Sequence, residues 1–217
     1  MLEILGVRQE ELLRLLLKNK AGMTADELSV QLTITRNAVR QHLAALENDG
    51  LVKKSVTRAS GGRPEQLYVL TDKGNECFPR HYAWFAQLLL QSVQQESGAE
   101  GLSERLSTMG AQVGKQLRVQ YPDLVSRGEK TQKLSEVMDQ LGYNARSAAA
   151  EKVAGAKKVE VIEADNCVFH TLALMNPIIC KFDLALLSAF TDSAVDHQEC
   201  MATGGNICRF KFNAKDQ

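Results

Sequence analysis

Residues 24–50 constrain this chain more tightly than any other stretch. TADELSVQL opens with Thr24 three residues before Glu27. That is the reciprocal capping pattern of a helix start, and it predicts a helix through about Leu32. A break at Thr33-Ile34 precedes a second helix, Thr35 to about Asp49, stopped at Gly50. Its apolar residues Ala38, Val39, Leu43 and Leu46 share one face, while Arg36, Asn37, Arg40 and Gln41 are left to point outward. Two β-type runs follow, Leu51–Arg58 and Gln66–Leu70, divided by Ala59-Ser60-Gly61-Gly62-Arg63-Pro64. Glycines and a proline between short strands predict a hairpin. An amphipathic helix over residues ~6–18 completes the order helix, helix, tight turn, helix, hairpin, which is a winged helix-turn-helix.

Such a unit places its second helix in the major groove and its hairpin tip near phosphates or the minor groove. Thr35, Arg36, Asn37, Arg40 and Gln41 are the residue types that read base edges or hold phosphate. Arg58 and Arg63 flank the wing tip, and Gly62 lets backbone pass close to the duplex. The formal net charge of the whole chain is zero. Between Ile34 and Arg63, however, six basic residues face only Glu47 and Asp49, and attraction to phosphate is decided locally, within about one Debye length. A double-stranded DNA operator is therefore the expected partner, although winged helices also serve as protein-interaction modules. GMTADELSVQLTITRNAVRQHLAALENDGLV and the wing GGRPEQLYVLTDKG resemble bacterial regulators of the ArsR/DeoR-like winged-helix type.

Beyond the wing, Phe78, Trp84, Phe85, Leu88, Leu89 and Leu90 predict one long helix from Asp72 to about Gln95, with Pro79 in its first turn. Its apolar excess suits pairing of two subunits into a homodimer, which would present two recognition helices to two half-sites. SGAEG (97–101) reads as a linker. The expected organisation is a DNA-binding domain over 1–76, a dimerisation helix over 77–97 and a sensor domain over 98–217. Two amphipathic helices, around Leu102–Leu117 and Leu134–Leu141, open that last part. A helix from about Pro177 to Phe190 then lies among β candidates near 145–150, 159–162, 194–200 and 207–212, with TGGN (203–206) as a turn. The fold class is α+β. No stretch approaches the ~20 apolar residues of a membrane span, and acidic residues interrupt the first helix, which argues against a secretory signal. A cytoplasmic location is expected.

Four of the five cysteines crowd the final quarter: Cys167, Cys180, Cys200 and Cys208. In an intracellular chain such thiols are better read as ligands or reactive groups than as a disulfide framework. Four thiolates suit zinc or an iron–sulfur cluster. The gaps of twelve, nineteen and seven residues contain no C-x₂-C knuckle, which disfavours a zinc ribbon or finger. Buried structural thiols and a thiol redox switch are the other readings. Cys77 stands apart and reads as structural.

NCVFHTLALMNPIIC and ECMATGGNICRF resemble the sensor region of the SUF-operon repressor family. The resemblance implies a winged-helix repressor of iron–sulfur assembly genes that carries a cysteine-ligated cluster, 4Fe-4S or 2Fe-2S, and represses in its cluster-bound form. Cys167, Cys180 and Cys208 follow that family's pattern. Its third cysteine falls near Ala194 here, so Cys200 takes that place, or else His170, His197 or Glu199 completes the set. A regulator whose second domain binds zinc or a small-molecule effector is the alternative. An enzyme is not expected: no glycine-rich phosphate loop, acid–base pair or Ser–His–Asp arrangement is legible.

Overall fold

The computed structural model describes residues 5–58, 64–149 and 159–215. The fold is α+β, as the sequence predicts, and the chain divides into two compact units, Met1–His81 and Tyr82–Gln217.

In the first unit, α1 (Val7–Lys18), α2 (Ala25–Leu32) and α3 (Arg36–Asn48) enclose Leu12, Leu13, Leu16, Leu28, Val39, Leu43 and Leu46. The capping box at α2 forms in full: Thr24 Oγ1 accepts from the Glu27 amide at 3.1 Å, and the Glu27 carboxylate accepts from the Thr24 amide at 2.8 Å. Thr33 closes α2 in a left-handed conformation, so α3 can start at once on its own cap, Thr35. A short strand β1 (Met23–Thr24), then β2 (Val52–Arg58) and β3 (Glu65–Leu70), form an antiparallel sheet in the order β1-β3-β2.

Past the wing the structure departs from the single helix expected over 72–95. Thr71 caps a short helix, α4 (Asp72–Glu76), and Pro79 lies between it and α5 (Tyr82–Val119) rather than in a first turn. Cys77 is buried in the N-terminal core and its thiol hydrogen-bonds with the Lys73 carbonyl. The SGAEG stretch is short but does interrupt α5, which is two helices meeting at a kink. Only Gly98 leaves helical geometry, at φ 71°, a value glycine adopts without strain. The two helices stay together across the kink, with Leu90 and Val93 before it packed into the same cluster as Leu102 and Leu106 after it.

The second unit continues with α6 (Arg127–Met138), which runs into a single π-helical stretch, Asp139–Tyr143. There follow β4 (Ala145–Ala149), β5 (Glu160–Ala164), α7 (His170–Met175), α8 (Cys180–Thr191), β6 (Ala194–Glu199) and β7 (Cys208–Asn213). The sheet is antiparallel in the order β4-β5-β7-β6. Its inner face places Ile162, Phe210 and Phe212 against Leu134, Leu187 and Phe190. α7 had no counterpart in the sequence reading, and the helix expected from Pro177 begins as a 3₁₀ turn, Pro177–Ile179. α8 lies on α5 at backbone distance: a methyl group at Gly110 would collide with the Phe182 carbonyl oxygen, and one at Gly114 with that of Leu186.

Between β6 and β7 the chain forms a wrapped loop, not the tight TGGN turn. Cys200 O accepts from the Thr203 and Gly205 amides, and Glu199 Oε1 accepts from the Asn206 and Ile207 amides. Among the described residues, no helix is long and apolar enough to cross a membrane.

Candidate functional site

Two groups of side chains carry chemistry, one in each unit. On α3, Val39, Leu43 and Leu46 are buried, which by helical period leaves Asn37, Arg40 and Gln41 exposed on the opposite face. Thr35 is the N-cap, its Oγ1 accepting from the Ala38 amide at 3.2 Å. Arg36 is exposed but engaged, with Nε 2.6 Å from Asp26 Oδ1 of α2. An exposed pair of this kind is worth at most about 1 kcal/mol, so it positions Arg36 without locking it. This pairing is not legible from local sequence, because Asp26 and Arg36 lie on different helices. Arg58 ends β2, and Gly62 and Arg63 lie outside the described residues.

In the second unit the four thiols come from four segments. Cys167 sits in the loop before α7, Cys180 is the first residue of α8, Cys200 follows β6, and Cys208 opens β7. All are free thiols. They stand where two apolar clusters adjoin: Cys167 and Cys180 pack against Leu102, Leu106 and Ile179, while Cys200 and Cys208 pack with Ile162, Leu187 and Phe210.

A β-bulge between His197 and Glu199 turns the end of β6. The donor atoms of His197, Cys200 and Cys208 all lie within 4.8 Å of one another. Cys200 and Cys167 are both close enough to act electrostatically on Cys180 and Cys208.

Burial dominates the acid–base chemistry here. It pushes the Cys180 thiol up to about 12, with Cys200 adding to the effect. It pushes Cys208 up to about 11 against an opposing hydrogen bond from the Met201 backbone. Cys167 is raised by burial too, opposed by the Phe169 backbone. These three are thiols, not thiolates, at neutral pH until a cation draws off their protons.

Of the other groups considered as a fourth donor, only His197 joins a cluster of candidate donors. Its ring stacks on Phe210 at 4.7 Å, its Nε2 is buried without a hydrogen-bond partner, and burial lowers its pKa. Glu199 is committed to the loop amides, and His170 is exposed at the start of α7.

Sequence reasoning missed a buried carboxyl three residues beyond Cys180. Asp183 accepts a 2.7 Å hydrogen bond from the Tyr143 hydroxyl, and burial lifts it to about 6 despite that bond. Nothing in the sequence marks the pair, which is separated by forty residues.

The architecture defines a class: a winged helix-turn-helix DNA-binding domain followed by an α+β unit with a cysteine–histidine cluster. Residues 8–59 match the helix-turn-helix family described as "HTH domain". No curated protein matches the chain. Among solved structures, the chain is similar to the crystal structure of the phenol-responsive sensory domain of the transcription activator PoxR with phenol. The TM-score is 0.45 at 11% identity, over 81% of this chain and 89% of that one.

Two outcomes follow from this geometry. Arg40→Ala should weaken specific DNA binding by about 1–3 kcal/mol in a footprint titration, and Arg36→Ala by less, because Asp26 competes for that guanidinium. Asp183 has a folded pKa raised from 3.8 to about 6, so its contribution to stability is full below pH 3.8 and is lost as pH rises through about 6. The amide oxygen of Asp183→Asn still accepts from Tyr143. Urea unfolding of the reduced chain across pH should therefore show the variant losing less stability than the parent over that interval; parallel curves would contradict the assignment.

Proposed function

We propose that this chain is a homodimeric DNA-binding transcription regulator, acting as a repressor, whose second unit senses iron–sulfur or redox status through a cluster held by Cys167, Cys180, Cys200 and Cys208. The observation that carries the reading is that Cys200 and Cys208, with His197, bring their donor atoms within 4.8 Å of one another, while Cys167 and Cys200 both act electrostatically on Cys180 and Cys208. The donor set fits a 4Fe-4S or 2Fe-2S group: four soft sulfur donors, none spent in a disulfide. The resemblance of NCVFHTLALMNPIIC and ECMATGGNICRF to the SUF-operon repressor family supports the same assignment and suggests iron–sulfur assembly genes as targets.

A bound cluster would supply a centre labile to oxygen and redox change. The chain's own residues do the rest. Cys167, Cys180, Cys200 and Cys208 would hold it, and so would join the loop before α7, the start of α8 and both ends of the β6–β7 loop. Without it, burial keeps Cys167, Cys180 and Cys208 protonated. Operator affinity would follow the populations of the two arrangements of the second unit.

Pairing of two copies is supported by the start of α5. Residues 82–95 carry no charged side chain, and Trp84, Phe85, Leu88 and Leu89 are exposed there. A contiguous apolar face of this kind is characteristic of an interface.

A second reading has its own observation. The unpartnered, buried Nε2 of His197 beside Cys200 and Cys208 suits one zinc-type ion held by nitrogen and sulfur. One experiment separates the two readings: anaerobic purification followed by absorption spectroscopy with iron and sulfide analysis. The proposal predicts a brown protein with iron and acid-labile sulfide in comparable amounts, both lost in Cys180→Ala. Stoichiometric zinc without iron would overturn it in favour of the second reading.

A further inference from the structure

An open groove of about 370 Å³ runs beside the thiol site. One wall is the first turn of α5, with Tyr82, Ala83 and Ala86; the other is the loop and first turn of α7, with Cys167, Phe169 and Leu172. Cys167 is the one member of the thiol cluster that lines it. Cys208 is buried, and Cys180 and Cys200 are half-buried away from the groove.

No aspartate, glutamate, lysine or arginine contributes to the lining, and its polar side chains are confined to Tyr82, Cys167, His170 and Thr171. Two of the α5 positions facing it are alanine. An uncharged solute loses little on entering such a lining, whereas an anion meets no lysine or arginine there to attract it.

We propose that this groove is the entry by which small uncharged molecules reach the thiol site, and that Cys167 is the thiol they meet first. The inference rests on the four thiols being the functional site, but not on the group they hold. It assigns unequal duties to the four: Cys167, half-buried but lining the groove, is the gatekeeper, and Cys180 and Cys208, away from it, are the anchors.

The test uses the full chain, reduced and freed of metal. Iodoacetamide is added, and each cysteine's alkylation is followed by peptide mass spectrometry. The thiolate sulfur displaces iodide, forming one S–C bond, and the thiol proton passes to solvent. Cys167 is expected to react at least about tenfold faster than Cys180 or Cys208, because access and burial control thiol reactivity. Iodoacetate, of nearly the same size but anionic, should be slowed at Cys167 more than it is with a free small thiol.

Ala83→Trp should fill the groove from an exposed position, slowing Cys167 and leaving Cys180 and Cys208 unchanged. Ala86→Trp offers a second plug if the first disturbs the fold, as judged by circular dichroism. The inference is overturned if Cys167 labels no faster than Cys208, or if neither plug slows it selectively. It is overturned as well if the rate at Cys167 falls as chain concentration rises, which would assign the groove to a second copy. Because labelling needs no cluster, it can fail while iron analysis succeeds, or the reverse.

Discussion

The close approach of α8 to α5 sets the geometry of the second unit. Gly110 and Gly114 present bare backbone to the carbonyls of Phe182 and Leu186, so α8 lies lower on α5 than side chains would permit. Phe182, near the start of α8, consequently meets Phe169 edge-on with ring centroids at 5.7 Å, tying α8 to the Cys167 loop. Cys180, as the first residue of α8, is held between that loop and the β6–β7 loop. The same helix carries Leu187 and Phe190 into the sheet's inner face, from which β7 begins with Cys208. Helix packing and sulfur placement are thus one constraint.

Sequence reasoning worked where the determinants are local. The Thr24–Glu27 box, the Thr35 start and the hydrophobic period of α3 are decided within a few residues, and so they were legible. It failed where distant contacts overrule local signals. SGAEG marks a real break at Gly98, but Leu90 and Leu102 join one cluster across it and hold the two helices together, which composition does not show. TGGN has turn composition, but Glu199 and Cys200 take up the loop amides and wrap it wider. At the thiol site the cysteine types were plain, while the position of Cys200 depends on a bulge that spacing cannot reveal. His197 was one of three candidate donors in the sequence; only burial and its unpartnered Nε2 set it apart. Asp183 with Tyr143 left no sequence trace, because neither residue type nor spacing announces a buried pair.

Burial gives the empty and filled states of such a site different chemistry. With Cys180 at about 12 and Cys208 at about 11, these two are neutral thiols compatible with their apolar surroundings when nothing is ligated. Coordination must expel those protons, so occupancy is coupled to pH and to whatever competes for the sulfurs. A site that is stable both empty and filled can serve as a switch, provided the two states differ in where they hold the surrounding segments. In the proposed function the winged helix would supply the readout; on it Asn37, Arg40 and Gln41 are exposed and Arg36 is steadied by Asp26.

The central claim is that the thiol site governs DNA occupancy. It is tested most directly by footprinting the full chain on its operator, anaerobically and after brief exposure to oxygen, beside the Cys167→Ala/Cys180→Ala double variant. The account predicts an operator affinity that changes with oxygen in the parent and is indifferent to it in the variant. An oxygen response that survives in the double variant would contradict it.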